Sequence, residues 1–147
     1  MTMLESKQDL KILVIDDSST IRRSAEIFLG QVGYKVILAE DGFDALAKIN
    51  DYMPDLIFCD ILMPRLDGYQ TCALIKKSAK FRHTPVIMLS SKDGLFDRAR
   101  GAIVGSDEYL TKPFTKDSLL KAVRNYATRS SPSSTASSAA NSISRLG

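Results

Sequence analysis

With 147 residues, 44% of them apolar and 25% charged, the chain has the composition of one ordinary globular domain with a hydrophobic core. The net charge is +3, but Arg129 and Arg145 lie in an acid-free final stretch and carry +2 of it, leaving a nearly neutral body that argues against a nucleic-acid partner. Two cysteines, Cys59 and Cys72, are too few for a disulfide framework or a cysteine-based metal site and read as buried thiols.

Residues 1–9 form a polar extension without the apolar segment of a signal peptide, and no run is long enough to span a bilayer. The expectation is a cytoplasmic chain with no direct membrane insertion. The first β-rich run, "KILVI" (11–15), ends in Asp16-Asp17. A Ser/Thr-rich start then leads into a helical stripe of Ile21, Ala25, Phe28 and Val32, closed by "GQVG". "KVIL" (35–38) follows and ends near Glu40-Asp41-Gly42; a helix carrying Ala45, Leu46 and Ile49 stops before Pro54. "LIFC" (56–59) ends on Asp60, and a third helix is expected from about Gly68 to Ser78. "VIML" (86–89) ends in Ser90-Ser91, before a fourth helix with Leu95, Ala99 and Ile103. "EYLT" (108–111) ends in Thr111-Lys112-Pro113, before a fifth with Leu119, Val123 and Tyr126. From Thr128 onward the sequence is Ser/Ala-rich and lacks the apolar surface to offset ordering entropy, so a disordered tail is expected.

Short apolar strands in strict alternation with helices imply βαβ units and a parallel sheet covered on both faces. The fold class is α/β, a (βα)5 doubly wound five-stranded parallel sheet. In such a sheet ligands bind beyond the carboxyl ends of the strands. Three acids (Asp16, Asp17, Asp60), a hydroxyl (Ser90) and one lysine (Lys112) converge there if strands one, three, four and five are neighbours. Two like charges about 4 Å apart repel by roughly 4 kcal/mol at an effective dielectric of ~20, so the cluster needs a cation. Oxygen-only ligands with room for water and phosphate oxygens suit Mg²⁺. Together these groups make a phosphoryl-transfer site in which a carboxylate can be the nucleophile. Asp60, a charge at the rim of a core, is then explained as the group that accepts a phosphoryl.

The separate readings are plainer. Asp16-Asp17 could be acids at a helix start, Ser90 a cap and Lys112 a surface charge. Both Asp-Gly pairs, Asp41-Gly42 and Asp67-Gly68, read as turn chemistry, and the lone His83 as an exposed loop residue. Only the joint placement at four strand ends favours the site.

"VIDDS", "DILMPRLDGY", "VIMLSS" and "YLTKPF", in that order and spacing, resemble the receiver domain of two-component response regulators, the CheY-like fold, over roughly residues 9–127. The resemblance implies strand order 2-1-3-4-5 and a receiver domain over 10–127, followed by the tail 128–147. It implies Asp60 as phosphoacceptor, with Asp16, Asp17, Asp60 and the Leu62 backbone carbonyl as protein ligands of Mg²⁺. Ser90 and Lys112 would contact the phosphoryl group, Ser90 and Tyr109 would be the switch residues, and the Lys112-Pro113 bond would be cis. Leu62 and Lys92 occupy positions that tune dephosphorylation in the family. The implied partners are a histidine kinase or its phosphotransfer domain, and an output protein on the helix 4–strand 5–helix 5 face.

Longer stretches, "DGFDALAKI", "MPRLDGYQTCALIK" and "SSKDGLFDRARGAIVGSDEYLTKPF", look like stand-alone receivers of type IV pilus chemosensory systems, which serve twitching motility. Two other classes remain open on the residues. A free-standing aspartyl-phosphate phosphohydrolase would want an acid two residues after its nucleophile, where Leu62 stands. A flavodoxin-like FMN carrier could use Ser18-Ser19-Thr20, although that loop lacks glycine and opens on an acidic pair.

Overall fold

The computed structural model describes residues 10–91 and 98–129. The extension over 1–9, Lys92, Leu95 and the chain from 130 onward lie outside the described residues. Five strands, β1 (Lys11–Ile15), β2 (Lys35–Ala39), β3 (Leu56–Asp60), β4 (Val86–Ser91) and β5 (Glu108–Lys112), alternate with five helices. The helices are α1 (Ser19–Gly30), α2 (Gly42–Tyr52), α3 (Gly68–Lys77), α4 (Arg98–Val104) and α5 (Lys116–Arg129). All pairings are parallel, in the order β2-β1-β3-β4-β5.

The apolar runs of β1, β3 and β4 are continuous because these inner strands are buried on both sides, whereas the edge strands β2 and β5 are partly exposed. Alternate residues face opposite layers: Leu13, Ile15, Ile57, Cys59, Val86 and Met88 pack with α2 and α3 residues such as Ala45, Ile49 and Ile75. Ile12, Val14, Leu56, Phe58, Ile87 and Leu89 pack on the other side with Ala25 and Leu29 of α1 and with Leu119 and Val123 of α5. Cys59 and Cys72 are free and buried.

Local chemistry fixes where the helices start. Ser18 caps α1, its side chain accepting from the Ile21 N–H at 3.3 Å. The two Asp-Gly pairs, read from the sequence as turn chemistry, turn the chain into helix starts. Asp41 caps α2, and Asp67 with Gln70 forms a reciprocal capping box on α3. Helix α2 ends at Met53, whose φ of 52° turns the chain before Pro54.

Three details depart from the sequence reading. Val32 lies beyond α1 and is exposed, while Leu29, off the proposed stripe, is in the core. On α4, Ala99 and Ile103 face solvent, Ile103 being 84% exposed, and the buried residue is Gly101. An i, i+4 spacing marks a helix face without saying which neighbour, if any, covers it. Finally, α5 runs to Arg129, two residues into the stretch assigned to the tail.

Candidate functional site

The strand order sets β3 between β1 and β4, so the carboxyl ends of β1, β3, β4 and β5 form one rim. Asp60 ends β3 in register with Leu89, and Ser90 and Ser91 face Thr111 and Lys112 across β4 and β5. From β5, Lys112 reaches over β4, its Nζ donating to Asp60 Oδ1 at 2.9 Å and to Asp16 Oδ2 at 3.2 Å. Asp16 is fully buried, Asp60 is 2% exposed and Ser90 5%, whereas Asp17 is open to solvent. Carboxylate oxygens of Asp16, Asp17 and Asp60 all lie within 4.8 Å of one another. The rim thus brings together all five of the polar residues that the sequence singles out.

Asp16 is held from several directions. Its Oδ1 accepts from the Ser18 N–H at 2.9 Å, its N–H donates to the Ala39 carbonyl, and its own carbonyl accepts from Arg22 Nη1 at 2.7 Å. Arg22 is a contributor that the sequence reading missed; its place on the first turns of α1 was the available signal. Asp60 is set by backbone packing as well. The Gly68 N–H donates to the Ile61 carbonyl at 2.8 Å, and a β-carbon at Gly68 would collide with the Asp60 carbonyl oxygen and stand 2.7 Å from Ile61 Cα. Glycine is required there for close approach.

A cavity of about 140 Å³ opens beside Asp60, lined by Asp17, Ile61, Leu62, Leu89, Ser90, Ser91 and Lys112. Leu62 is 70% exposed, an apolar side chain standing at the mouth of a polar pocket. Ser90 Oγ donates to the Ser91 carbonyl at 3.3 Å. Tyr109 is half-buried at the edge strand, against the α2–α3 side of the core, and the Lys112-Pro113 peptide bond is cis.

The electrostatics follow from burial and unequal charge. Burial pushes the Asp60 carboxyl up to about 7; the Lys112 hydrogen bond opposes this, and the Asp16 charge adds to it. The Lys112 ammonium is raised: burial alone would lower it, but its hydrogen bond to Asp60 and the charges of Asp16 and Asp60 outweigh that effect. One ammonium therefore stands beside three carboxylates, in contact with two of them, and the rim keeps an excess of negative charge. An all-oxygen donor set with one member open to solvent fits a hard, partly hydrated divalent cation. The acidic triad is typical of the Mg²⁺ site of receiver domains.

Comparison with known proteins agrees with this geometry. The chain is 63% identical to Protein PilG of Pseudomonas aeruginosa over 130 residues, 88% of this chain and 96% of that protein. It is 40% identical to the probable transcriptional regulator ycf27 of Guillardia theta over 82% of this chain, but spans only 46% of that relative. Among solved structures, chemotaxis protein CheY4 of Vibrio cholerae superposes with a TM-score of 0.77 at 32% identity, covering 80% of this chain and 98% of that one. A response regulator from Chloroflexus aurantiacus gives 0.77 at 31% identity, over 82% and 99%. Among the described residues no helix is long and apolar enough to cross a membrane. The response regulator receiver domain profile matches residues 12–124, which sets the phosphohydrolase and FMN-carrier alternatives aside. A sheet in the order 2-1-3-4-5, an acidic rim bridged by Lys112 and this match over most of the chain place the protein in the response regulator receiver domain family, signalling modules rather than conventional enzymes.

Proposed function

We propose that Asp60 accepts a phosphoryl group from a histidine kinase or its phosphotransfer domain, and that the resulting charge changes the affinity of this domain for an output protein. The receiver family implies a kinase partner in general; the histidine-bound donor is the finer reading. The observation that carries it is the bridging of Asp60 and Asp16 by Lys112 in a rim with more carboxylates than cations.

Asp16, Asp17, Asp60 and the Leu62 backbone carbonyl would hold Mg²⁺, whose chemistry there is to draw charge off the phosphoryl oxygens. The carboxylate oxygen of Asp60 forms the new O–P bond as the donor's P–N bond breaks, the electron pair leaving with the imidazole. The cavity beside Asp60 admits the transferred group between Ser90 and Lys112. Lys112 then pairs with a phosphoryl oxygen instead of a carboxylate. Exposed Leu62 borders the path by which water would reach the acyl phosphate.

Ser90 drawn toward the phosphoryl group would leave room for Tyr109 to turn inward, changing the face made by α4, β5 and α5. That face holds a groove of about 840 Å³ bordered by Tyr109, Lys121, Asn125 and Tyr126, which suits a partner protein. The likeness to PilG supports control of type IV pilus twitching motility in the cytoplasm as the output. Incubation with a small phosphodonor and Mg²⁺, followed by intact-mass measurement, tests the acceptor. One phosphoryl adduct is expected, lost in Asp60→Asn and on chelation; an adduct that persists in Asp60→Asn would refute the assignment.

A further inference from the structure

We infer that Arg65 is a positioning residue for the loop that carries the phosphoacceptor, an inference that rests on the reading of Asp60 and Mg²⁺ given above. The segment between β3 and α3 supplies Ile61 and Leu62 to the wall of the cavity beside Asp60, so the path of this loop sets where those groups lie. Arg65 sits midway along it with φ 68°, and the Leu66 N–H donates to the Pro64 carbonyl at 2.7 Å. A hydrogen bond spanning two residues around a left-handed centre is a tight turn that a β-carbon disfavours.

The Arg65 side chain holds this turn in place. Its Nη2 donates to Asp41 Oδ2 at 2.9 Å, and its guanidinium carbon stands 5.1 Å from the centre of the Phe43 ring. Asp41 is itself fixed, because its Oδ1 caps α2 by accepting from the Asp44 N–H at 2.7 Å. The neighbouring Leu66 closes over Gly42, where a β-carbon would stand 2.8 Å from Leu66 Cδ2. Arg65 thus straps the acceptor loop to the start of α2, on the next turn along the rim.

The strap is an exposed ion pair and a cation–π contact, each individually weak, and the strained backbone opposes them. A loop held by so close a balance is one whose competent fraction a single side chain can change.

The full chain is compared with Arg65→Gly, Arg65→Lys and Asp41→Asn by calorimetric titration with Mg²⁺, by the rate of phosphoryl uptake from acetyl phosphate, and by thermal melting. Glycine adopts φ 68° without strain, so Arg65→Gly is expected to melt within about 3 °C of wild type. Its apparent Mg²⁺ dissociation constant is expected to rise about fivefold, as the competent fraction falls by that factor, with slower uptake. Asp41→Asn keeps the cap and loses the charge, and is expected to change affinity in the same direction. Arg65→Lys keeps the charge but not the planar stacking, and is expected to recover part of the loss. Unchanged affinity and uptake in Arg65→Gly, beside a wild type that takes up phosphoryl, would overturn the role of Arg65 alone. Affinity and melting temperature falling together in all three variants would mark the strap as serving stability only, and overturn it too. A wild type that takes up no phosphoryl would remove the reading of Asp60 on which the inference stands.

Discussion

Two lysines of almost equal burial stand at opposite ends of the sheet. Lys76 is 14% exposed and Lys112 16%. Lys76, near the end of α3, donates to the Thr84 carbonyl at 2.7 Å, to Asp107 Oδ2 at 3.1 Å and to the Arg82 carbonyl at 3.3 Å. Its one carboxylate partner also accepts from the Val86 N–H at 2.8 Å. Charges there are matched one to one, and the ammonium's other donors find acceptors in the backbone of the loop between α3 and β4. Lys112 instead bridges two buried carboxylates with a third within 4.8 Å of them. The first network is complete as it stands; the second is short of positive charge. That shortfall separates a structural ion pair from the site proposed to hold a cation and accept a phosphoryl group.

The sharpest way to break the comparison is to truncate each lysine in turn. Lys112→Met removes a charged donor from the reacting centre and is expected to slow phosphoryl uptake about 10²–10³-fold. Rates measured by intact mass against time check this, and a change below about threefold would deny Lys112 a catalytic part. Lys76→Met has the opposite signature. It leaves Asp107 without its cation and two carbonyls without a donor, at about 2 kcal/mol and a melting temperature roughly 5–10 °C lower. Uptake per folded molecule should be that of wild type.

A further effect comes from pH. Because burial lifts the Asp60 carboxyl to about 7, the folded protein binds this proton more tightly than the unfolded chain does. The stability contributed by Asp60 is therefore fully present below about pH 4 and is lost as pH rises through about 7. Other carboxylates run the opposite way, so the measurement is the difference in melting temperature between wild type and Asp60→Asn. That difference should fall steadily across the window in metal-free buffer. A difference rising with pH would show that Lys112, and not burial, governs the site.

How much of this was legible in the sequence follows from the same physics. Strands buried on both faces show up as uninterrupted apolar runs, so "KILVI", "LIFC" and "VIML" mark β1, β3 and β4 closely, and the polar residues ending them mark the rim. Strand ends also gave Asp16, Asp60, Ser90 and Lys112, since a parallel sheet gathers its carboxyl ends by topology alone. The network of Lys76 was not visible, because two of its acceptors are carbonyls and any residue type supplies a carbonyl. Arg65 was hidden for a related reason: φ 68° belongs to the backbone, and nothing in "MPRLDG" singles out its side chain as the strap. Ile103 fitted a stripe but found no layer to cover it, since periodicity reports a face and not its neighbour.

The central claim is that the excess carboxylates at the Lys112 end exist to hold a divalent cation. Thermal melting with and without Mg²⁺ at pH 8, on wild type and Asp60→Asn, tests it most directly. At a hundred times its dissociation constant, Mg²⁺ should add about 2.7 kcal/mol of stability to wild type. Asp60→Asn should gain less than half of that at the same concentration. Equal melting temperatures with and without Mg²⁺ in wild type would contradict the claim and leave the acidic rim without its explanation.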